Sequence, residues 1–246
     1  MTAPASARTA HRICAIVSAD AEWRATLRLF APQGLQPSPY GDWFILDDPA
    51  SGAELICLNG GWGKIAAAGS AQYAIDRWRP DLLINLGTCG GFSGHSKRGA
   101  ILLAERTIVY DIVELMGSQD LAIAHYTVEH DLSWIPASLA STVRRAVLVS
   151  ADRDLDVAEV DDLHARHGAI AGDWESGAIA WVARRNDIPL LILRGVSDLV
   201  GVDGGEAYDG AGRIFETGAA EVMTKLFDLL PLWVAAFMAG RMTGHG

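Results

Sequence analysis

The sequence predicts an α/β protein, a three-layer α/β/α domain around a central mixed, mostly parallel, twisted sheet. Three observations carry this expectation. Short apolar runs rich in β-branched residues alternate with helix-patterned segments along the 246 residues, the pattern of strand–helix–strand units. Half of the residues are hydrophobic and 20% are charged, enough for a sizeable core and far from the composition of a disordered chain. No internal repeat, low-complexity tract or linker interrupts the alternation, so residues 1–246 read as a single domain.

Taken in order, residues 12–18 are a buried-strand run, and 19–30 follow as a helix with Trp23, Leu27 and Phe30 at helical spacing. Residues 43–46 and 54–58 read as strands around a polar turn, 59–63 as a loop, and 64–78 as a helix stopped before Pro80. Residues 81–85 form a buried strand that enters a loop, Gly87-Thr88-Cys89-Gly90-Gly91. Residues 100–112 suggest a longer, bent strand, and 114–136, with weak periodicity, read as loop. A short helix is expected at 136–145, a strand at 146–150, a helix at 156–167 and a short strand at 169–171. An acidic residue then opens an apolar helix that ends before Pro189. A buried strand at 190–193 follows, with Arg-x-x-Ser-Asp at its exit, then a Gly-rich loop at 201–212 and a long terminal helix.

The bulk numbers exclude several function classes. A net charge of −10 argues against nucleic acid, whose binders carry a basic stripe, and against anionic membrane surfaces. Cys14, Cys57 and Cys89 are far apart and odd in number, with no Cys/His ligand spacing; neither a disulfide scaffold nor a metal site is expected, and a reducing cytoplasm fits. Residues 1–11 lack an apolar signal core and read as a frayed terminus. The apolar run at 226–239 is interrupted by Asp228 and Pro231. It is read as too short for a membrane span and as a core or interface helix.

Four segments invite chemistry. In an open α/β sheet, ligands bind at the carboxyl ends of the strands. Asp173-Trp174-Glu175-Ser176-Gly177-Ala178 and Arg194-Gly195-Val196-Ser197-Asp198 would place Glu175 and Asp198 around one crevice, with Arg194 between them. Glycines at 87–91 would let backbone amides approach a ligand. That segment is neither a Walker A loop nor a GxGxxG fingerprint, so NAD and ATP have no support. Ser18-Ala19-Asp20-Ala21-Glu22 adds acids just past the first strand. Each segment alone has an ordinary reading, as a tight turn, a helix cap or a dipole-favoured first-turn acid. Together all four follow a predicted strand and would converge on one face. His164 and His167 have ligand-like spacing but read as an exposed helix face. Trp62, Trp134, Trp174 and Tyr208 are aromatics near loops, open to stacking on a base or to core and rim roles.

Order and spacing of three blocks resemble the nucleoside phosphorylase and nucleosidase superfamily, most of all the 5′-methylthioadenosine/S-adenosylhomocysteine nucleosidases. The blocks are residues 61–68 continuing through Pro80 and Asp81 to Gly91, residues 174–180, and residues 194–198. The resemblance covers residues 13–230. It implies a phosphorylase/hydrolase-like fold and a homodimer at least, without metal or organic cofactor. It implies that Glu175 holds the ribose hydroxyls, with Trp174 in place of the usual methionine beneath the sugar. Asp198 would protonate the purine at N7, supported by Ser197 and Arg194, and Glu22 would activate water. Thr88, Cys89 and Gly90 would lie beside the ribose and the nucleophile. Asp154 falls in the base-binding strand end, which lacks the expected stacking phenylalanine, and Tyr208 is a further substrate-binding candidate.

The implied chemistry is coherent. Cleaving an N-glycosidic bond develops positive charge on the sugar, and protonating the base improves the leaving group. Asp198 must hold a proton near neutral pH while Glu22 takes one from water. Asn85 stands where many phosphorylases of the superfamily carry arginine, and the acids at Asp20 and Glu22 would repel phosphate. The expected function is hydrolysis of a small-molecule purine nucleoside in the cytoplasm. Asp20, where the nucleosidases usually have methionine, and the poor match at 112–136 leave the 5′ substituent open. A phosphate-dependent purine nucleoside phosphorylase and a catalytically silent nucleoside-binding or storage relative are the rival readings.

Overall fold

A computed structural model describes residues 11–48, 53–201, 204–206 and 213–243. Its first half contains β1 (His11–Val17), α1 (Asp20–Phe30), β2 (Gln36–Pro37), β3 (Asp42–Asp48), β4 (Ala53–Asn59), α2 (Gly63–Trp78), β5 (Leu82–Phe92) and β6 (Ile101–Val109). Then come α3 (Gln119–His125), β7 (Thr127–Glu129), α4 (Ala137–Ala140), β8 (Arg144–Ser150), α5 (Val160–His167) and β9 (Ala169–Asp173). The chain ends with α6 (Ser176–Arg185), β10 (Leu190–Gly201), β11 (Gly204–Gly205) and α7 (Arg213–Thr243).

The strands form one mixed sheet. Its long central ladders, β4–β1–β5–β10 and β6–β8–β9, are parallel. The six other pairings among the described strands are antiparallel, so "mostly parallel" describes those ladders alone. β5 is the branch point. It pairs with β1 up to Asn85; β1 then ends, and β5 picks up β9 at Gly90 and Gly91 while staying on β10. Since β10 pairs β6, β6 pairs β8 and β8 pairs β9, five strands close into a circuit.

Alternation along the strands divides the core. Ile13, Ala15 and Val17 of β1 join a cluster with Trp23 of α1 and with Val222, Leu226, Leu230 and Trp233 of α7. Cys14 and Ile16 join another with Ala67, Ala71 and Ala74 of α2 and Ile179 and Val182 of α6. Successive side chains of a strand point to opposite faces, so α1 with α7 and α2 with α6 lie on opposite sides of β1.

Several sequence expectations are corrected. Residues 87–91 are not a loop but the second half of β5, held in register by β10. Likewise Arg194 to Asp198 lie inside β10 rather than at its exit. The glycines there serve close approach: a Cβ at Gly87 would stand 2.0 Å from Arg194 Nη1, and one at Gly91 2.6 Å from Val196 Cγ1. Residues 114–136 contain α3 and β7. The helix is short and buries only Ile123, so its sequence carries almost no periodic signal. The helix expected at 136–145 stops at Ala140, because β8 already begins at Arg144. α7 is 31 residues long, and by length and composition it is long and apolar enough to cross a membrane. The reading as too short fails because Asp228 and Pro231 sit on its exposed side and do not end it. Its apolar stripe packs on the sheet, so Phe227, Leu230, Trp233, Val234 and Phe237 are core residues rather than an open interface. Residues 1–10, most of the Gly-rich 201–212 segment and Tyr208 lie outside the described residues.

Candidate active site

β5 and β10 bring the site together. Between Val196 and Asp198 the register with Cys89 and Gly90 slips, leaving Ser197 as the extra residue of a bulge. Bulges re-aim side chains, and here Asp198 comes opposite Gly90, where β5 leaves β1 for β9. Two glycines face each other at that switch, Gly90 and Gly172. A cavity of about 350 Å³ opens there, its lining including Glu22, Thr88, Trp174, Glu175, Ser197 and Asp198, with Cys89 and Asp154 beside them.

Glu22 is 2% exposed in the first turn of α1. One carboxylate oxygen accepts from Thr88 N at 2.6 Å and from Thr88 Oγ1 at 2.7 Å. The other accepts from Ala19 N at 3.2 Å and so closes the start of its own helix. A group that only accepts, from three donors, plays the part of an ionised carboxylate.

Asp198 is also buried, and burial pushes its pKa up, opposed by the hydrogen bond from Ser197. Ser197 Oγ donates to Asp198 Oδ1 at 2.5 Å. The other charges felt by Asp198 are Glu206, Arg98 and Asp154.

Glu175 caps α6 and accepts from Gly63 N at 3.1 Å. Burial drives its pKa up to about 8, with Arg194 pulling the other way. Trp174 and Trp62, each the residue before one partner of that hydrogen bond, stack with ring centroids 5.0 Å apart and planes 15° apart.

Arg194 is not on the cavity wall. It is fully buried beneath it, where Nε lies 2.8 Å from Asp173 Oδ2 and 2.9 Å from Ser176 Oγ, and Nη2 donates to Asn85 Oδ1 at 2.7 Å. Nη2 also lies 3.8 Å from Glu175 Oε2. Its expected place between Glu175 and Asp198 is corrected: its guanidinium is engaged by Asp173, Ser176 and Asn85. Asp20 is exposed and absent from the cavity lining, so of the two acids at the start of α1 only Glu22 reaches the cavity. His164 is half-buried and stacks on His95 at 3.6 Å, away from the cavity. Among the described residues no group of His, Cys, Asp or Glu is placed to hold a metal ion.

Sequence reasoning missed Tyr110 and Phe215 as lining residues, and it named Asp173, Arg153 and Leu155 only as members of candidate segments. Tyr110 follows β6 directly, and a residue just past a strand end was the signal that found Glu22. Its ring lies under the Arg153 guanidinium at 5.1 Å, and Arg153 also holds Glu159 at 2.5 Å. Phe215 comes from α7, far away in sequence, and nothing local marks it. Lys64 pairs with Asp111 while its amide donates to Asp152 Oδ1 at 2.7 Å, tying the start of α2 to the ends of β6 and β8.

Residues 44–230 match the model of a family described as the phosphorylase superfamily. A 5′-methylthioadenosine/S-adenosylhomocysteine nucleosidase of Geobacillus sp. (strain WCH70) is 26% identical over 171 residues, 65% of this chain and 74% of the relative. The nucleosidase of the same description from Halalkalibacterium halodurans is 28% identical over 169 residues, 64% and 73% of the two chains. Among solved structures, the Helicobacter pylori nucleosidase of that description with butyl-thio-DADMe-Immucillin-A superposes with a TM-score of 0.75 at 18% identity, covering 91% of this chain and 99% of that one. Futalosine hydrolase of Helicobacter pylori gives 0.74 at 17% identity, covering 90% and 97%. The structures share this mixed-sheet α/β fold.

Proposed function

The chain belongs to the phosphorylase superfamily, and from that premise we propose that it hydrolyses the N-glycosidic bond of a purine nucleoside. The substrate class is 5′-methylthioadenosine, S-adenosylhomocysteine or a related 5′-modified nucleoside, as the names of its relatives suggest. One observation carries this reading: of the four buried carboxylates on the cavity, Asp173 is engaged by Arg194, Ser150 and Ser176, while Glu22, Glu175 and Asp198 stand in different surroundings. Asp198, pushed toward its protonated form by burial, is the general acid for the departing base. Glu22 takes the proton of the attacking water, and Glu175 holds the sugar hydroxyls.

Water rather than phosphate suits the nucleophile end. The Thr88 amide and hydroxyl, the donors an oxyanion would use, already serve Glu22. Arg194 is turned to the floor, and Arg153 is engaged by Glu159 and Tyr110. An anion beside Glu22 would meet like charge.

The finer architecture belongs to this reading as well: a single three-layer α/β/α domain, supported by the two buried clusters on opposite sides of β1. So do a homodimer and catalysis without metal or organic cofactor, which rest on the family resemblance, and a cytoplasmic location, which rests on the scattered cysteines. Sedimentation of the purified protein tests the dimer.

The decisive experiment measures base release from methylthioadenosine, adenosylhomocysteine, adenosine, inosine and futalosine, each with and without phosphate. Phosphate-independent release is expected. Release only with phosphate would make the protein a phosphorylase. Thermal stabilisation by a nucleoside without any release would make it a silent binder.

A further inference from the structure

We propose that Lys64 is a positioning residue for the sugar-holding carboxylate: with Asp111 and Asp152 it fixes the start of α2, and so the amide that orients Glu175. The proposal rests on the reading of the site as a purine nucleosidase and adds to it a residue outside the cavity lining.

Glu175 is 5% exposed. Among the described residues, Gly63 N at 3.1 Å is the donor within hydrogen-bond distance of its carboxylate, and Arg194 Nη2 stands off at 3.8 Å. Where the Gly63 amide lies therefore sets how Glu175 faces the cavity. Nothing within α2 fixes that amide. Trp62 at the N-cap gives no side-chain acceptor, and the first turn holds no acid, although the first amides of a helix need partners. Two carboxylates from elsewhere serve them: Glu175 accepts from Gly63 N, and Asp152 from Lys64 N at 2.7 Å. Gly63 has φ +82°, and a Cβ there would meet Asp152 Oδ1 at 3.0 Å, so glycine lets Asp152 close over the turn.

Asp152 is held in turn by the sheet edge. β6 and β8 are parallel neighbours with Val109 beside Ser150, and Asp111 and Asp152 each lie two residues past those ends. Asp152 N donates to Asp111 Oδ2 at 3.0 Å. The Lys64 ammonium pairs with Asp111 Oδ1 and lies 3.9 Å from Asp152 Oδ2. It is the cation between two acids that would otherwise repel. A lysine in a helix's first turn works against the helix dipole, so the stability of α2 alone does not account for it. A tie between α2 and the ends of β6 and β8 does.

The test compares 5′-methylthioadenosine with its 2′,3′-dideoxy analogue, which leaves Glu175 no hydroxyl to hold. The ratio of kcat/KM for the two is read in the wild type, Lys64→Met and Lys64→Arg, so that the unequal lability of the two bonds cancels between proteins. Lys64→Met is expected to lower the ratio of ribo to dideoxy compound roughly 10-fold. Lys64→Arg keeps the cation and should stay near the wild type. A second readout needs no substrate. Trp62 caps α2, Trp174 precedes Glu175, and their rings stack 5.0 Å apart. The circular dichroism of this indole pair, taken as the difference from a Trp62→Leu protein, should weaken in Lys64→Met. If Lys64→Met does not fold, Lys64→Met with Asp111→Asn leaves no unpaired charge on Asp111 and replaces it in both readouts. An unchanged ratio, an equal loss on both compounds, or an unchanged indole signal overturns the proposal. If neither compound is cleaved, their calorimetric binding ratio in the same proteins decides the role of Lys64. If neither binds, the proposal falls. Failure of the nucleosidase reading shows separately, as no base release from any nucleoside.

Discussion

Glu22 and Thr88 are joined at two points: one carboxylate oxygen receives both the amide and the hydroxyl of Thr88, at 2.6 and 2.7 Å. This locks an acid from the first helix onto the middle of a strand 66 residues later. It also leaves the second oxygen bound only by the Ala19 amide, which is the position from which a water could be polarised.

Glu22→Gln is therefore expected to stay on Thr88, because the amide oxygen still accepts both of its bonds, but to lose the base and the weaker bond from Ala19 N. Base release should fall roughly 10²–10⁴-fold with little change in melting temperature. Undiminished release would mean that another group takes the proton of water.

Asp198→Asn tests the other half of the chemistry. Asparagine still accepts from Ser197 but has no proton to give the departing base. Turnover should fall by a similar roughly 10²–10⁴-fold, while calorimetry still detects nucleoside binding. A rate like the wild type's would remove Asp198 as the acid.

The candidate site residues were legible in the sequence because each lies where a strand-patterned run meets a helix or a glycine. Glu22, Glu175 and Asp198 were found that way, and the structure puts them on one cavity. What strand and helix patterns do not carry is where a strand stops. Residues 87–91 and 194–198 contain the glycines and polar groups that mark loops, yet pairing between β5 and β10 carries both through as strand. The depth of Arg194 was hidden for the same reason. An arginine at a strand exit points into a cleft, but inside a central strand it is buried and must find partners below. Phe215 was out of reach altogether, being brought to the cavity by the docking of α7.

Glu175 gives a pH dependence with a definite sign. Burial lifts its pKa from 4.5 to about 8, so between those values the folded protein keeps a proton that the unfolded chain has released. Stability is fully present below the unfolded value, declines as pH rises through this window, and levels off above about 8. The raised Asp198 contributes in the same direction. Melting curves of the ligand-free protein from pH 5 to pH 9 should show the decline, and Glu175→Gln should make it shallower. A Glu175→Gln curve parallel to the wild type's would contradict the assignment; the wild-type curve alone does not decide it, because His130, its pKa lowered by burial from 6.5 to about 4, works in the opposite direction between those values.

Gly87 is the point at which the floor has no room. A methyl group there would meet Arg194 Nη1 at 2.0 Å and both oxygens of Glu22 at 2.8 and 2.9 Å. Both neighbours are held by other bonds, so neither can retreat without breaking contacts. Gly87→Ala should cost about 1–3 kcal/mol in urea denaturation and lower turnover through displaced Glu22. A fully stable and active Gly87→Ala protein would show that the floor is plastic.

The last prediction separates holding from catalysis in Arg194. Arg194 and Asp173 are 0% and 2% exposed in their side chains and lie 2.8 Å apart. Ser176 donates to the same Asp173 oxygen, and Ser150 to the other at 2.7 Å. Removing the guanidinium leaves Asp173 charged, buried and only partly satisfied, which for such pairs costs about 3–5 kcal/mol. Arg194→Met should therefore destabilise by about that much in denaturant unfolding. Arg194→Met combined with Asp173→Asn should recover much of the loss, because the amide needs no counter-charge, its oxygen still accepts from Ser150, and its NH2 can donate to Ser176 Oγ, which no longer accepts from Arg194. The coupling between the two changes is the quantity to measure. If Arg194 instead acted on the substrate, the single variant would stay stable and lose turnover, and the double variant would restore nothing.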